Sequence, residues 1–494
     1  MPLTASRSAE GTAPVRQGHP AAALGAALLG FFVITLDALV VNVALPAIRT
    51  DLGGGMTGLQ WVLDGYTLML AALLLSAGSL SDRIGARRAF GLGLAVFVAA
   101  SMACGLAPTP PVLIVARLVQ GAGAAAMMPT SLALIREAYT DPVRRARAVA
   151  LWAVGGAVAS AAGPVAGGAA SLISWRVIFF INLPVGLVAL LLLARTARSP
   201  RRPVPIDTTG QVTAVIAMGA LTFAAIEAGE GGLTPLVWGA VLLTLVAVAV
   251  FVRAQARGRR PMVPLELLRR STVVISCAAG FAFMAAFYGM VFLFSLYLQQ
   301  ERGLSPLATG AAFVPMTALS AFINPLSARA AERLGPRVPI ASGLVLMAAG
   351  LIALAAAPAS TPTWALALLM LPVGMGGPLA MPPATALLVN SVPAHQTGTV
   401  SGVFNTSRQL GGALAVAVFG ALIAHQAPML AGVRTGLLLA AAIAGSAGIA
   451  ACFLRSHPQD ASGTAAEPGP ATSPRKGFLP HPAQAPRTAK ETSP

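Results

Sequence analysis

The sequence predicts an all-α membrane protein of about fourteen transmembrane helices, with two related six-helix bundles and an extra central pair of helices. Of its 494 residues, 56% are hydrophobic and only 10% are charged, which is more apolar surface than a soluble protein of this length can bury. Apolar stretches of roughly 17–25 residues, long enough to cross the hydrocarbon layer of a bilayer, recur along the chain. Their apolarity is continuous rather than alternating, which argues against a β-barrel.

The apolar stretches predict fourteen helices joined by short loops. Ala and Gly are abundant within them, and small residues let helix backbones approach closely where lipid supplies no hydrophobic force for association. We therefore expect a closely packed bundle. The predicted helices cover, in order, residues 23–48, 60–80, 88–107, 112–133, 147–170, 177–195, 210–229, 234–253, 272–299, 308–327, 338–357, 364–390, 400–425 and 432–454.

The loop arginines predict the orientation of the chain in the membrane. The net charge is +17, but alternate loops hold most of the arginines: twenty lie in the set that runs from Arg83 to Arg337, against four in the opposite set, Arg49, Arg176, Arg302 and Arg434. Positive loops mark the cytoplasmic side of a membrane protein. We expect a multi-pass protein of the inner (plasma) membrane with both termini in the cytoplasm. The charge is thus a topology signal and does not indicate nucleic-acid binding.

The sequence shows no motif for a cofactor, a metal or a catalytic centre. Cys104, Cys277 and Cys452 fall in apolar stretches, without the spacing of a disulfide framework or a metal site. A phosphate-binding loop of the G-x-x-x-x-G-K-[ST] type does not occur, and no nucleophile–base pair is evident. We therefore expect a protein that is not an enzyme and that uses no cofactor or metal.

Two segments repeat each other 250 residues apart. Gly78–Arg87 aligns with Ala328–Arg337, so that Asp82 matches Glu332 and Arg83 matches Arg333. Duplicated halves with a site between them are typical of secondary transporters. We predict a disordered N-terminus, an N-terminal bundle, a central helix pair, a C-terminal bundle and a disordered tail, with bounds of 1–22, 23–200, 201–260, 261–455 and 456–494.

Five motifs in chain order resemble those of the major facilitator superfamily, specifically its fourteen-helix drug:proton antiporters. Within that group, the chain is most similar to actinobacterial antibiotic-resistance exporters of the methylenomycin-resistance type. The motifs are Leu36–Pro46 (like L-D-x-x-V-V-N-V-A-L-P), Gly78–Arg88 (like G-x-L-x-D-R-x-G-R-[RK], with Ala86 where Arg is frequent), Arg117–Gly123 (like R-x-x-Q-G-x-G), Gly163–Gly168 (like G-P-x-x-G-G, an element associated with export) and Trp175–Pro184.

The resemblance implies a gate and a set of close helix contacts. In the gate, carboxylates and arginines on the cytoplasmic side would pair in one state and separate in another; a plain charged turn is the alternative. The gate residues would be Gly78, Asp82, Arg83, Gly85 and Arg87, with Glu332 and Arg333 of the repeat. The small residues of the helix-packing motif would be Gly121, Gly123, Gly163, Pro164, Gly167 and Gly168.

Three ionisable residues fall inside predicted helices and are candidates for proton coupling: Asp37, Asp64 and Arg117. A charge at the bilayer centre costs roughly 2.5–3.5 kcal/mol even on insertion scales, so it faces a cavity or a partner. Removal from water disfavours the charged form of a carboxylate, which enables it to bind and release a proton. Structural alternatives are Asp37 bonded to Asn42 or a neighbouring helix, Asp64 on a solvated cavity wall, and Arg117 clamped to Gln120.

Polar and aromatic side chains on several predicted helices are candidates for a substrate cavity. Two of them, Phe281 and Tyr288, lie two turns apart on one helix face. The alternative for such rings is packing against lipid or other helices. Arg408 is expected near the start of its helix, in a structural role. The predicted cavity residues are Trp61, Tyr66, Gln120, Phe281, Tyr288 and Asn405.

The sequence thus predicts a proton-coupled antiporter that exports small amphipathic compounds, such as antibiotics, by alternating access. We expect its partners to be a lipophilic small molecule, protons and membrane lipid, and we expect a monomer. The alternatives are an exporter of a metabolite or amino acid, a proton symporter, and a receptor or assembly protein that does not transport. Replacing Asp37 with Asn is expected to abolish energy-driven efflux and to leave folding largely intact.

Overall fold

The computed structural model describes residues 19–201, 207–258, 261–393, 396–425 and 428–454. Every regular element in these ranges is helical. The predicted disordered tail and residues 1–18 of the predicted disordered N-terminus lie outside the described residues. The first helix begins at Pro20, earlier than predicted. Proline is favoured in the first turn of a helix because it has no amide hydrogen to leave unbonded there.

The described residues form sixteen α-helices, a short 3-10 helix (Leu265–Arg269) and a π-helical turn (Tyr297–Glu301). The α-helices are α1 (Pro20–Leu52), α2 (Gly55–Ile84), α3 (Ala86–Gly105), α4 (Pro110–Ala138), α5 (Pro142–Ser171), α6 (Val177–Phe180), α7 (Asn182–Ala194), α8 (Thr208–Gly231), α9 (Pro235–Arg257), α10 (Ser271–Leu296), α11 (Pro306–Leu334), α12 (Arg337–Ala356), α13 (Thr363–Leu369), α14 (Leu371–Asn390), α15 (Thr397–His425) and α16 (Met429–Ala451).

Fourteen of the helical segments in the described residues fit a bilayer. Thirteen pass as single segments; α6 with α7 forms one of them (Val177–Ala194), and α13 with α14 forms another (Thr363–Asn390). The fourteenth is α2, which bends by 59° between Leu74 and Ser76. The predicted all-α fold with about fourteen transmembrane helices is confirmed.

The two halves of the chain repeat the same pattern of helix contacts. In the N-terminal half, α1 packs against α5 and α7, and α4 packs against α2 and α3. In the C-terminal half, α10 packs against α15 and α16, and α14 packs against α11 and α12. Each contact in one half therefore has a counterpart in the other. The two bundles are pseudo-symmetric, as the repeat predicted, whereas the domain bounds of 200 and 260 stay predictions.

The repeated loop has the same backbone feature in both copies. Gly85 ends α2 with a φ of 89°, and Gly335 ends α11 with a φ of 79°. Residues with a side chain rarely adopt this left-handed conformation, so glycine is the favoured residue for such a turn. The sequence match between the two loops thus reflects an equivalent turn in each half.

The turns at Gly85 and Gly335 lie on the same side of the bundle as the arginine-rich loops. We call this the arginine-rich side and the opposite side the arginine-poor side. Contacts near the arginine-poor side join the two halves closely. A Cβ added to Gly168 of α5 would lie 2.6 Å from the carbonyl oxygen of Pro306, and one on Gly310 of α11 would lie 2.2 Å from that of Pro164. At these positions the two helix backbones touch.

Two glutamines also cross between the halves near the arginine-poor side. The Nε2 of Gln60 donates to the carbonyl oxygens of Ala417, at 2.6 Å, and Val416, at 3.2 Å. The Nε2 of Gln299 donates to the carbonyl oxygen of Val43 at 3.0 Å. Because these acceptors are backbone atoms, the two amides hold helices together rather than individual side chains.

The extra pair, α8 and α9, lies beside the seam between the two halves. α8 packs against both α2 and α15 as well as α9, and many large apolar side chains of α9 are exposed, as on a helix that faces lipid. The Nε2 of Gln211 in α8 donates to the carbonyl oxygen of Ala72 in α2 at 2.9 Å. Asp207 accepts from the amide of Gly210, at 2.8 Å, and from Gln255, at 2.7 Å. These bonds fix the pair at its arginine-rich end.

Candidate proton and substrate site

Asp37 and Arg117 form an ion pair in the interior of the N-terminal bundle. Asp37 lies on α1 and Arg117 on α4, and both side chains are fully buried. One guanidinium nitrogen of Arg117 donates to Oδ2 of Asp37. The Nε of Arg117 donates to the carbonyl oxygen of Val62 in α2 at 2.9 Å. The pair thus ties three helices together, and each charge neutralises the other in a fully buried site.

Two amide side chains complete the bonding of Asp37. The Nε2 of Gln120 and the Nδ2 of Asn182 each donate to Oδ1 of Asp37 at 2.9 Å. Asn182 also donates to the hydroxyl oxygen of Ser101 at 3.0 Å. The carboxylate therefore accepts three N–H bonds from three different residues. Both oxygens of Asp37 are thus bonded, one to Arg117 and the other to the two amides.

The ring of Tyr66 covers the guanidinium of Arg117. The guanidinium carbon lies 4.4 Å from the ring centre, a distance at which the negative face of an aromatic ring attracts a cation. The hydroxyl of Tyr66 donates to the carbonyl oxygen of Ile34 at 3.1 Å. Tyr66 is fully buried. It therefore closes the ion pair off from the space between the two halves.

Glycines of α4 permit this arrangement. A Cβ at Gly121 would lie 2.3 Å from the carbonyl oxygen of Tyr66, and one at Gly123 would lie 2.7 Å from the backbone nitrogen of Phe97. Side chains at these two positions would push α2 and α3 away from α4. The R-x-x-Q-G-x-G motif thus combines the charged residue with the small residues that let its partners reach it.

The glycines of α5 have a similar function in packing. A Cβ at Gly163 would lie 2.9 Å from Cβ of Leu39, and one at Gly167 would lie 2.6 Å from the carbonyl oxygen of Val40. Gly168 faces the other half instead, as described above. The G-P-x-x-G-G element therefore brings α5 against α1 on one face and against α11 on another, with Pro164 at the second contact.

Asp64 is a buried carboxylate without a hydrogen-bond partner among the described residues. Both of its oxygens lack one, and the side chain is fully buried. It lies on α2 one helical turn after Gln60, on the face that meets α15 and α8. Its neighbours on that face, Leu68 and Ala71, pack against Met218 and Leu410. The predicted solvated cavity wall is wrong for this conformation, since Asp64 is closed off from water.

Four residues of the C-terminal half are candidates for contact with cargo, and one of them, Arg408, lies 3.4 Å from the side-chain oxygen of Asn405. Phe281 and Tyr288 of α10 and Asn405 and Arg408 of α15 are all half-buried. Tyr288 packs against the N-terminal core and lies close enough to Tyr66 and Arg408 to interact with them electrostatically. Three of these residues were predicted to line the substrate cavity. Their contact with a substrate stays a prediction.

The other predicted cavity residues lie elsewhere. Gln120 and Tyr66 belong to the buried ion-pair cluster rather than to a cavity wall. Gln120 donates to Asp37, and the ring of Tyr66 packs over the guanidinium of Arg117. Trp61 lies against Phe223 of α8, with 6.2 Å between the ring centres. Its contact with a substrate stays a prediction.

The residues of the predicted gate are apart in this conformation. Asp82, Arg83, Glu332 and Arg333 are exposed, and none of them forms an ion pair within the part of the chain that the structure describes. Arg87 donates to the carbonyl oxygen of Ala194 at 3.0 Å. Nothing among the described residues lies within 4 Å of a Cβ placed on Gly78, so no helix packs closely against it.

Three residues that make important hydrogen bonds were not identified from the sequence: Asn182, Gln60 and Gln299. Asn182 lies inside the Trp175–Pro184 motif, but its bond to Asp37 depends on how α7 packs against α1. Asn42, the partner considered for Asp37, instead donates to the carbonyl oxygen of Ala38 in its own helix. Gln60 and Gln299 reach across to the other half; an amide inside an apolar stretch was the available signal, since it needs a partner.

Comparisons with known proteins agree with this architecture. The sequence profile of the Major Facilitator Superfamily matches residues 27–416. The multidrug resistance protein Stp of Mycobacterium tuberculosis (strain CDC 1551 / Oshkosh) is 38% identical over 400 residues, which cover 80% of this chain and 74% of that protein. The methylenomycin A resistance protein of Streptomyces coelicolor (strain ATCC BAA-471 / A3(2) / M145) is 35% identical over 401 residues, 80% of this chain and 84% of that one. Among solved structures, the peptide transporter POT in complex with sulfate is similar, with a TM-score of 0.66 and 16% identity over 88% of this chain and 94% of that one.

Proposed function

Because the chain belongs to the major facilitator superfamily, we propose that it exports lipophilic organic compounds, antibiotics among them, in exchange for protons. The arginine-rich side faces the cytoplasm, the membrane is the plasma membrane, and cargo leaves through the arginine-poor side. Both termini are then cytoplasmic. Drug export is supported by the relatives, because proteins named for multidrug and methylenomycin A resistance align with four fifths of the chain.

The observation that carries proton coupling is the environment of Asp64. A carboxylate without a hydrogen bond or counter-ion is very costly in an apolar interior, whereas the neutral carboxylic acid is tolerated. In this conformation Asp64 therefore carries a proton. It lies at the seam between α2 and α15, which belong to different halves. When the halves rock, this seam changes, so water reaches Asp64 in one state and is excluded in another.

The ion pair of Asp37 and Arg117 has a different part in the proposal. It is neutral overall and sealed by Tyr66, so it supplies no free charge in this conformation. Opening the N-terminal bundle towards the arginine-poor side would hydrate the pair. A proton from outside could then reach Asp37 and release Arg117. We assign Asp64 as the residue that holds the proton here and Asp37 as a second site that exchanges it.

The distribution of contacts between the halves supports alternating access. Gln60, Gln299 and the backbone contacts of Gly168 and Gly310 join the halves near the arginine-poor side. Asp82, Arg83, Glu332 and Arg333 on the arginine-rich side, by contrast, are exposed and form no ion pair with any residue that the structure describes. This difference supports a state in which cargo enters from the arginine-rich side, before the gate closes behind it.

Inverted membrane vesicles provide the test. With the protein present, at least one dye of a panel that includes the cation ethidium and the anion carboxyfluorescein should accumulate in vesicles that have an acidic lumen, and adding that dye should release part of the imposed proton gradient. Replacing Asp64 with Asn keeps the shape of the side chain and removes the titratable proton. We expect this variant to lose dye-driven proton release and uphill accumulation while it still exchanges dye down a gradient.

The matched control is Glu301→Gln, which removes an exposed carboxylate at the arginine-poor side and should behave as wild type. Full proton-coupled accumulation by Asp64→Asn would rule out Asp64 as the carrier. If wild-type vesicles moved no compound in response to the gradient, the proposed function itself would fail.

A further inference from the structure

Arg408 is a cation inside the membrane region of the C-terminal half that the mechanism above does not use. It was expected near the start of its helix, but α15 begins at Thr397. Eleven residues separate the two positions, which is about 16 Å along a helix axis. Arg408 thus lies well inside the hydrocarbon layer. A cation at that depth is costly unless it serves a partner or a ligand.

The guanidinium of Arg408 has few partners within the described residues. Its Nε is buried and makes no hydrogen bond. One terminal nitrogen is 3.4 Å from the side-chain oxygen of Asn405, which is a long contact. Neither of the two ion pairs formed among the described residues includes Arg408. This differs from Arg117, whose charge is balanced by Asp37.

The surroundings of Arg408 are aromatic. Its guanidinium carbon lies 5.9 Å from the ring centre of Phe283 and 5.8 Å from that of Phe404. The stem of Arg408 packs against Gly280, where a Cβ would lie 2.8 Å from Cγ of the arginine. Tyr288 is close enough for electrostatic interaction. The rings and the stem contact hold the cation in place without neutralising it.

We propose that Arg408 is the binding site for an acidic group of the cargo, so that the exported compounds are aromatic acids in their anionic form. A guanidinium offers parallel N–H donors that match the two oxygens of a carboxylate, and its planar face stacks with rings. The rings around Arg408 would contact the aromatic part of the same molecule. Since Arg408 is half-buried, part of its side chain is accessible to a cargo molecule. This inference rests on the proposed export function and adds the substrate class.

The charges of the site favour an anion over a cation. Asp37 is neutralised by Arg117, and Asp64 is sealed and uncharged in this conformation. Among Asp37, Asp64, Arg117 and Arg408, it is then Arg408 that carries a charge without a counter-ion in the part of the chain that the structure describes. A lipophilic cation would be repelled by it, whereas an anion would complete its bonding. Carboxylate binding would also satisfy the buried Nε, which removes the cost of an unpaired donor.

A pair of dyes with one ring system tests the proposal. Fluorescein is a xanthene that carries a carboxylate, and rhodamine 6G is a cationic xanthene in which the carboxyl group is an ester. Binding to the purified full-length protein in nanodiscs of uncharged phosphatidylcholine can be followed by fluorescence anisotropy. We expect the wild type to bind fluorescein more tightly than rhodamine 6G. Arg408→Gln should weaken fluorescein binding about 10-fold to 100-fold, the effect of losing a charged hydrogen bond.

The controls separate a lost anion site from a misfolded protein. Arg408→Gln should bind rhodamine 6G as well as wild type or better. Arg408→Lys should retain part of the fluorescein affinity, because lysine keeps the positive charge but lacks the two parallel N–H donors of the guanidinium. Arg257→Gln, at the exposed end of α9, should change neither affinity. An equal loss of both dyes in Arg408→Gln, or tighter binding of the cation by wild type, would overturn the proposal. Those outcomes leave export itself untouched, since gradient-driven accumulation of either dye in vesicles supports it separately.

Discussion

Removing the charge of Asp37 should destabilise the fold, contrary to the expectation from the sequence alone. The carboxylate accepts three N–H donors, from Arg117, Gln120 and Asn182. An Asn at this position has one oxygen and adds two donors of its own. Whichever way its amide points, at least one of the existing donors loses its acceptor, and the guanidinium of Arg117 becomes an unbalanced charge in a fully buried site.

The magnitude follows from the burial of both partners. Breaking a buried ion pair on one side costs about 3–5 kcal/mol, because the remaining charge is uncompensated. The carbonyl oxygen of Val62 and the side-chain oxygen of Gln120 still accept from Arg117, but they are neutral dipoles. We therefore expect Asp37→Asn to lower the free energy of unfolding by about 3 kcal/mol or more.

Unfolding in mixed micelles by increasing fractions of SDS, followed by tryptophan fluorescence, measures this loss. The double variant Asp37→Asn with Arg117→Gln also removes the unpaired guanidinium. This double variant should recover more than half of the stability that the single variant loses. The reasoning would be refuted by a single variant within about 1 kcal/mol of wild type, the net value of an ordinary hydrogen bond. A double variant as unstable as the single one would refute it equally.

Three further predictions concern the contacts between helices. Gly121→Ala should destabilise the protein by about 1–3 kcal/mol in the same SDS assay, because its Cβ meets the backbone of α2, whereas Gly78→Ala, which has open space, should not. Gln60→Leu should increase the reaction of membrane-impermeant maleimide with single cysteines introduced on the arginine-poor side, because two bonds between the halves are lost; unchanged labelling would contradict a role for Gln60 in closing that side. Gly85→Ala and Gly335→Ala should each cost about 1–2 kcal/mol in SDS unfolding, since both positions have a positive φ, and a loss in one copy alone would argue against equivalent turns.

The fold could be predicted because its signals are local. The length of each apolar stretch, the alternation of arginines between loops and the repeat of Gly78–Arg87 in Ala328–Arg337 are all read from neighbouring residues. Each depends on the bilayer or on a turn, not on which helices meet. Hence the number of helices and the two halves were predicted correctly, and the glycine at the end of α2 recurs at the end of α11.

The site could be predicted only in part because its geometry depends on tertiary packing. Asp37, Asp64 and Arg117 were recognisable as costly charges within apolar stretches. Which residue balances which charge depends on the crossing of α1, α4 and α7, so the bond from Asn182 could not be foreseen. Arg408 was expected near the start of its helix, but it lies eight residues into the predicted helix and eleven residues after the observed start at Thr397.

The position of α8 makes the two flanks of the molecule unequal. On one flank this helix fills the groove between α2 and α15 and is tied to Ala72. On the other, α5 and α11 meet through Gly168 and Gly310, while Phe322 and Leu326, towards the arginine-rich end of α11, are exposed. The lipid beside that end of the molecule therefore meets a packed helix, α8, on one flank and exposed apolar side chains of α11 on the other, so the two flanks present different surfaces to the bilayer.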